Sequence, residues 1–245
     1  MGERVPVRAE GCAASRQEAP SAEVSTLPAG ALAVEVAGET VVLLPERALW
    51  IPAHHVVVVA DLHWGKAATF RAARVPVPTG TTARDLTRLS KVLSDTGAKH
   101  LAILGDLLHA KAGRHDETLA TIAGWRATHA ALQITLVRGN HDRHAGDPPA
   151  TLRIDCQDDP WRLGPLVGVH EPVPVDSGYV LAGHLHPNVT VHGRGRSHVR
   201  LPAFVFGATI GILPAFSAFT GGGMYVRQAG DTLYGIASGE VIELR

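Results

Sequence analysis

The chain of 245 residues has 23 basic and 23 acidic side chains, so its formal net charge is zero. This balance excludes attraction of the whole protein to a polyanion, and any binding of nucleic acid must come from local patches or bound metal. Hydrophobic residues make up 45% of the chain, enough for one large domain with a substantial core.

The first residues of the chain and its cysteines indicate a cytoplasmic protein. Residues 1–30 are rich in Ala, Glu, Ser and Pro without periodicity, which predicts a disordered or loosely packed tail before a single domain over residues 31–245. Cys12 and Cys156 form no CxxC pair, so we expect free thiols in a reducing compartment. The N-terminus is charged and no apolar run is long enough to span a bilayer, so we expect neither a secretory signal nor a membrane partner.

The first half of the predicted domain alternates strands with helices, as in an α/β fold. Three apolar runs predict buried strands at residues 55–60, 99–104 and 134–137. The spacing of apolar residues predicts helices at residues 82–93 and 116–132, the first capped by Thr81 or Thr82. Beyond Asp147 the apolar segments become short and are punctuated by glycine. We therefore expect a strand-rich second half, forming a second sheet that packs on the first.

Five polar clusters follow apolar runs in this order: Asp61-Leu62-His63, Gly105-Asp106, Gly139-Asn140-His141, His170 and Gly183-His184-Leu185-His186. Each is weak evidence alone, since an Asp-x-His triplet arises by chance and a Gly-Asp pair is more often a turn. Their joint order is more specific, because functional groups of α/β sheets lie just past the carboxyl ends of strands. Carboxylate, imidazole and amide donors suit divalent ions such as manganese, iron or zinc. Together the clusters predict a two-metal site.

The order of these motifs resembles the calcineurin-like metallophosphoesterase superfamily, whose ligand motifs run DxH, GD, GNH, H and GHxH. Longer stretches are similar to the bacterial ligase-associated DNA damage response endonuclease family PdeM. They are DLHWGKAATFR at residues 61–71, GDLLH at 105–109, RGNHDR at 138–143, LPAF at 201–204 and LPAFSAFTGG at 213–222. The likeness thus extends over most of the chain after residue 30.

The resemblance implies a fold and a metal site. The fold would be a four-layer αββα sandwich, in which two mixed β-sheets are flanked by helices. The site would hold two divalent metal ions, manganese foremost, with iron or zinc as alternatives. Seven side chains would bind them: Asp61, His63 and His186 one ion, Asn140, His170 and His184 the other, and Asp106 both. Two cations about 3.5–4 Å apart can grip a phosphate oxygen and stabilise the attacking and leaving oxygens.

The resemblance also implies a reaction, the cleavage of a phosphodiester by attack of metal-bound hydroxide on phosphorus. His141 would face the substrate and protonate or stabilise the leaving oxygen, a role for a side chain that titrates near neutrality. His109 would assist it, as in the nuclease branch, unless it is only a partly exposed loop histidine. The substrate would be DNA, single-stranded by expectation, in repair with a DNA ligase and a helicase as partners.

Several residues near the motifs are candidates for contact with substrate. Arg143, Arg194 and Arg196 could bind phosphate, although solvated turns explain the last two equally well. Lys66 and Arg71 follow the first ligand pair and have the same two interpretations. Trp64 could stack on a base, whereas tryptophan is more often a packing residue.

Two other functions fit the same motifs. One is a phosphodiesterase or phosphatase for small nucleotides or other phosphoesters, since zero net charge is unlike a strong stand-alone DNA binder. The other is a non-catalytic scaffold on the same fold, which would lack the leaving-group histidine that His141 supplies here. The chain has no GxSxG elbow and no GxxxxGK[ST] loop, so serine hydrolase and P-loop chemistry are not expected.

Overall fold

The computed structural model describes residues 27–158, 160–193 and 197–245. The predicted tail lies outside these residues apart from 27–30, and so do Arg194 and Arg196. The first sheet contains seven strands in chain order: β1 Leu32–Val36, β2 Glu39–Leu44, β3 Ala48–Ile51, β4 Val56–Val59, β5 His100–Leu104, β6 Gln133–Val137 and β7 Asp155–Gln157. Strands β1 to β4 pair antiparallel through short turns, and β4 to β7 pair parallel. The three predicted strands are confirmed as β4, β5 and β6.

Four α-helices lie in this half: α1 Lys66–Ala72, α2 Thr81–Thr96, α3 Asp116–Thr128 and α4 Asn140–Ala145. Helix α2 buries Leu86 and Leu89, which lie on one face because they are three residues apart. The expected threonine cap is wrong, because Gly80 precedes the helix with a φ of 70° and no side chain caps it. The Thr82 hydroxyl instead accepts a hydrogen bond from the Gly65 N–H, 3.3 Å away. None of the described helices has the length and apolar character needed to cross a bilayer.

The second sheet contains nine strands: β8 Trp161–Leu163, β9 Leu166–Gly168, β10 Tyr179–Ala182, β11 Pro187–His192, β12 His198–Phe206, β13 Ile210–Ile212, β14 Gly223–Met224, β15 Thr232–Ala237 and β16 Glu240–Leu244. Their spatial order is β14-β11-β12-β13-β10-β9-β8, and β15 pairs with both β12 and β16. Strand β10 is parallel to β9 and β13, whereas β12 is antiparallel to β11, β13 and β15. This sheet is therefore mixed, like the first.

The two sheets pack face to face. Leu49, Val58 and Leu104 of the first sheet form a buried cluster with Leu181 and Phe204 of the second. The other face of the first sheet packs against α2 and α3. The predicted α/β fold with two mixed sheets is confirmed. In the described residues all four α-helices precede residue 146, so the helical layer covers the first sheet.

Candidate metal centre

The predicted ligands follow the carboxyl ends of five strands. Strands β4 and β5 end two residues before Asp61 and Asp106. In the second sheet, β9 and β10 end two residues before His170 and His184. Strand β6 leads to α4, which begins at Asn140. Because β4, β5 and β6 run parallel, and β9 runs parallel to β10, all five ends reach one edge of the sandwich.

Backbone pairing extends beyond the strands into the first two motifs. The Asp61 N–H donates to the Gly105 carbonyl at 3.2 Å, and the His63 N–H donates to the Asp106 carbonyl at 2.8 Å. Leu62 between them is fully buried in the core on the helical side of the sheet. The buried leucine anchors the segment, and its two polar neighbours are directed into the site.

Five predicted ligands have left-handed backbone conformations: φ is 56° at Asp61, 46° at His63, 53° at Asp106, 68° at His184 and 45° at His186. Positive φ is uncommon outside glycine and costs energy that the surrounding structure must offset. Such conformations cluster at functional sites, where they hold side chains in directions that ordinary turns do not give. Their concentration at this edge marks it as a site.

Glycines in the motifs leave room for the ligands. A β-carbon on Gly105 would lie 2.1 Å from Nδ1 of His170, and one on Gly139 would lie 2.3 Å from Oδ1 of Asp106. Gly183 is equally confined, with a carboxylate oxygen 2.6 Å from the position of its missing β-carbon. Each of these three glycines is therefore required by the close approach of a ligand other than the one that follows it.

Asp61, His63 and His186 bring three donor atoms together. Nε2 of His186 lies 3.3 Å from Oδ1 of Asp61 and 3.3 Å from Nε2 of His63. Ligand atoms about 2.1 Å from one ion lie roughly 3.0–3.4 Å apart in octahedral or tetrahedral geometry. Oδ1 of Asp61 is buried without a hydrogen-bond partner among the described residues. The spacing and the unsatisfied oxygen fit one divalent cation.

Asn140, His170 and His184 form a second group. Nε2 of His170 lies 3.0 Å from Oδ1 of Asn140 and 3.1 Å from Nδ1 of His184. The other ring nitrogen of His170 is 3.1 Å from the Leu104 carbonyl, and it must carry the hydrogen because a carbonyl only accepts. In the neutral ring, Nε2 then turns a lone pair toward the amide oxygen. A cation between them would convert this repulsive contact into a favourable one.

Asp106 lies between the two groups. Its Oδ2 is 3.8 Å from Nε2 of His63, and its Oδ1 is 3.5 Å from Nε2 of His170. The carboxylate is buried, and Oδ1 also accepts a hydrogen bond from the His141 N–H at 3.0 Å. Since one oxygen faces each group, this side chain could be shared by two cations and offset their mutual repulsion.

The surroundings set the protonation of the histidines. Nδ1 of His186 lies 2.9 Å from the Gly221 carbonyl, which fixes the hydrogen there and leaves Nε2 for a metal. Burial lowers the pKa of His63, and the positive charge of Lys66 lowers it further, so this ring is neutral and able to bind metal. Burial also acts on His186, but the negative charge of the nearby Asp61 carboxylate opposes it, and the pKa of His186 is raised.

His109 and His141 stack beside these groups, with ring centroids 4.7 Å apart and planes 24° apart. Nδ1 of His141 donates to the His109 carbonyl at 2.7 Å, so Nε2 is the nitrogen that faces the centre, 3.9 Å from Oδ2 of Asp106. Burial, followed by the charges of Lys66 and His141, lowers the pKa of His109 to about 4. His109 is therefore uncharged at neutral pH.

Asp142, for which no role was predicted, supports the site. Its buried carboxylate accepts hydrogen bonds from the N–H groups of Leu108 at 3.1 Å and Gly139 at 3.0 Å. It thereby joins the loop that carries Asp106 to the start of α4, where Asn140 lies. The available signal was an aspartate in the first turn of a helix, where a carboxylate can reach back to the helix start.

The described arginines that were predicted near phosphate are engaged at the surface. The exposed Arg143 guanidinium lies 3.6 Å from the Asp158 carboxylate, and Arg71 donates to the Pro78 carbonyl at 3.2 Å. A phosphate contact at Arg143 stays a prediction.

Trp64 is part of the core. Its side chain is 2% exposed, and its ring meets that of Trp125 edge to face at 6.1 Å. A buried ring offers no face to a base, so the packing interpretation is correct.

A family model described as Calcineurin-like phosphoesterase matches residues 54–202, more than half of the chain, and this range includes every predicted ligand. The chain belongs to the calcineurin-like phosphoesterase family. This phosphoesterase is therefore a metal-dependent hydrolase, and the clustered histidines and aspartates supply the side chains that such an enzyme needs.

Solved structures give a closer comparison. The phosphoesterase is similar to the Pseudomonas putida nuclease MPE, with 42% sequence identity and a TM-score of 0.78, over 87% of this chain and 100% of that chain. A protein of unknown function, AQ665 from Aquifex aeolicus, is 19% identical with a TM-score of 0.37, over 58% of this chain and 82% of that chain. No match was found among curated proteins. The resemblance that the motifs indicated is confirmed by the family model and the nuclease.

Proposed function

We propose that the protein is a two-metal phosphodiesterase that cleaves DNA. The observation behind the two-metal assignment is the position of Asp106, whose two carboxylate oxygens face two separate groups of donor atoms. The proposed ligands are Asp61, His63 and His186 for one ion, Asn140, His170 and His184 for the other, and Asp106 for both.

The side chains divide the chemistry between them. When bound, two divalent cations would withdraw charge from the phosphate and lower the pKa of a water molecule. Asn140 supplies an oxygen without adding charge, which keeps the site attractive to a phosphate anion. His141 is held by its Nδ1–H bond so that Nε2, when protonated, passes its proton to the leaving oxygen. The neutral ring of His109 stacks on His141 without repelling its charged form.

Similarity to a nuclease over nearly the whole chain supports nucleic acid as the substrate. The motif resemblance adds the finer parts of the proposal: single-stranded DNA, manganese as the metal, and a repair setting in the cytoplasm with a DNA ligase and a helicase. Because the net charge is zero, we expect few phosphate contacts and a shallow dependence of binding on salt.

A second candidate is a phosphodiesterase or phosphatase for small nucleotides. It is favoured by the engagement of basic side chains within the protein, as at Arg138, which contacts Asp147 at 2.7 and 2.8 Å. A small substrate needs only the metal centre, whereas a DNA strand must also be held along its length.

A cleavage assay with manganese separates these functions. The substrates are circular single-stranded DNA, duplex DNA, a cyclic nucleotide and a phosphomonoester, each tested at several salt concentrations. We expect linear fragments from the single-stranded circle, which only internal cleavage can produce. Turnover of the cyclic nucleotide or the monoester alone would overturn the DNA assignment and leave the reaction class intact. Failure on all four substrates would overturn the reaction class.

A further inference from the structure

Phe70 is an exposed aromatic ring close to the candidate metal centre. It lies on α1, which begins three residues after His63, and it is 36% exposed. Its ring centroid is 6.2 Å from that of His109, and the planes are 28° apart. His109 stacks on His141 in turn, so the three rings form a continuous stack from the surface to His141, the proposed proton donor.

Phe219 fixes the orientation of this ring. The two phenyl rings meet edge to face, with centroids 6.0 Å apart and planes 86° apart. Phe219 belongs to the loop between β13 and β14, the same loop whose Gly221 carbonyl holds His186. With His109 on one side and Phe219 at its edge, the exposed side of Phe70 is a flat apolar surface.

Lys66 lies one helical turn before Phe70, so the two side chains project from the same face of α1. Lys66 is the first residue of α1, and its backbone N–H donates to the His63 carbonyl at 3.0 Å, which places the residue beside the centre. In the part of the chain that the structure describes, the ammonium forms no hydrogen bond and no ion pair within 4 Å, and the charges that attract it are the Asp106 and Asp61 carboxylates of the candidate centre. Unlike Arg71 and the other arginines near the site, it is available to a ligand.

We propose that Lys66 and Phe70 form a nucleotide subsite, in which Phe70 stacks on a nucleobase and Lys66 contacts a phosphate neighbouring the one that is cleaved. This inference rests on the proposed function and narrows its substrate. A base can stack on a protein ring only if it is not already stacked within a duplex, so the subsite selects single-stranded nucleic acid. Aromatic stacking is tolerant of base identity, so we expect little sequence preference.

Binding tests the stacking role without catalysis. The probe is a single-stranded oligonucleotide containing 2-aminopurine, whose fluorescence falls on stacking, added to manganese-loaded His141→Ala protein. In that background Phe70→Ala should abolish the quenching and weaken binding by about 10- to 100-fold. Phe70→Trp should retain both, and Phe70→Leu, which keeps an apolar side chain, should lose the quenching. Val75→Ala, which removes another exposed apolar side chain, is the control and should change neither.

Cleavage separates this inference from the proposed function. Phe70→Ala should lower kcat/KM on single-stranded DNA, but it should have no effect on a strand with abasic residues on both sides of the cleaved bond. An equal loss on both strands, or unchanged quenching, would overturn the stacking role. If the unmodified protein cleaved neither strand, the proposed function would fail instead.

The phosphate contact is tested by salt dependence. Removal of one phosphate contact should reduce the slope of log K against log salt by about 0.7 for a single strand. Lys66→Ala should show this change, and Lys66→Arg should retain the slope. Lys99→Ala, an exposed lysine at the opposite end of β5, should retain it as well. An unchanged slope for Lys66→Ala would overturn the contact.

Discussion

At the scale of single residues, His141 can exchange a proton with substrate only through Nε2, because its Nδ1–H is donated to the His109 carbonyl. We expect His141→Ala to lower kcat by about 10²- to 10⁴-fold on a diester with an alkoxide leaving group. The loss should be much smaller with p-nitrophenolate, which leaves without a proton. Steady-state kinetics on both esters measure the difference, with exposed His115→Ala as the control. Equal losses on the two esters would contradict the role.

Gly105 gives a second prediction at this scale. Alanine at this position would place a β-carbon 2.1 Å from the His170 ring at a φ of 81°. We expect Gly105→Ala to destabilise the fold by at least about 1–2 kcal/mol from the backbone alone, and to weaken manganese binding because His170 must move. Gly124→Ala is the matched control, since nothing lies within 4 Å of that helical glycine, and it should stabilise by up to about 1 kcal/mol.

Thermal unfolding and titration calorimetry with manganese measure both effects. Full manganese affinity in Gly105→Ala would show that the glycine is not required for the position of His170.

The residues that could be predicted from sequence were those whose side chains themselves carry the donor atoms of a metal site. Asp61 and His186 could be found because carboxylates and imidazoles bind metal ions and the order of their motifs along the chain is specific. The carbonyls of Leu104 and Gly221, which orient two histidines, could not, because every residue has a carbonyl. Phe70 was overlooked because the sequence does not show which aromatic ring near the site is exposed.

At the scale of elements, charged side chains hold the loop between β13 and β14 in place. Arg88 of α2 donates to the Phe216 carbonyl, and its guanidinium lies 4.3 Å from the centroid of the Phe216 ring. The Asp85 carboxylate lies 3.0 Å from Arg88, and Arg47 donates to the Ser217 carbonyl at 3.1 Å. Because the backbone of the same loop contacts His186, a proposed metal ligand, helix α2 acts on the candidate site without touching it.

We expect Asp85→Ala to destabilise the fold by about 3–5 kcal/mol, since Arg88 would be left partly buried without its carboxylate. Manganese affinity should fall as well, because the loop loses a support. Asp95→Ala is the matched control on the same helix. It breaks an exposed pair with Lys91 and should cost no more than about 1 kcal/mol. Urea unfolding compares the two, and similar losses would show that the buried pair does not hold the loop.

Elements with one strong local signal were predicted, and those that depend on distant partners were not. Strands β4, β5 and β6 are buried apolar runs, so the sequence alone reveals them. Strand β1 alternates exposed and half-buried residues at the edge of its sheet, and its signal is weak. The pairing of β12 with β11, β13 and β15 depends on contacts between segments far apart in the chain, which no local pattern encodes.

At the scale of the whole molecule, the candidate site joins the two sheets. Asp61, Asp106 and Asn140 come from the first sheet, and His170 and His186 come from loops of the second. Two ions held by all of them would tie the halves of the sandwich together at one edge. Stability and metal binding should therefore be linked, since a ligand that binds only the folded state stabilises it.

Manganese at about 100 times its Kd should stabilise the fold by about 2.7 kcal/mol, which corresponds to roughly 5–11 °C in Tm for a chain of this size. Asp61→Asn tests whether the ions cause this shift. Without metal, Asp61 is a buried carboxylate with an unpartnered oxygen, and asparagine tolerates its positive φ well. In chelator, Asp61→Asn should therefore unfold at the same temperature as the unmodified protein or at a higher one. With manganese the order should reverse. A variant that is less stable by the same amount in both conditions would show that Asp61 supports the fold rather than the metal.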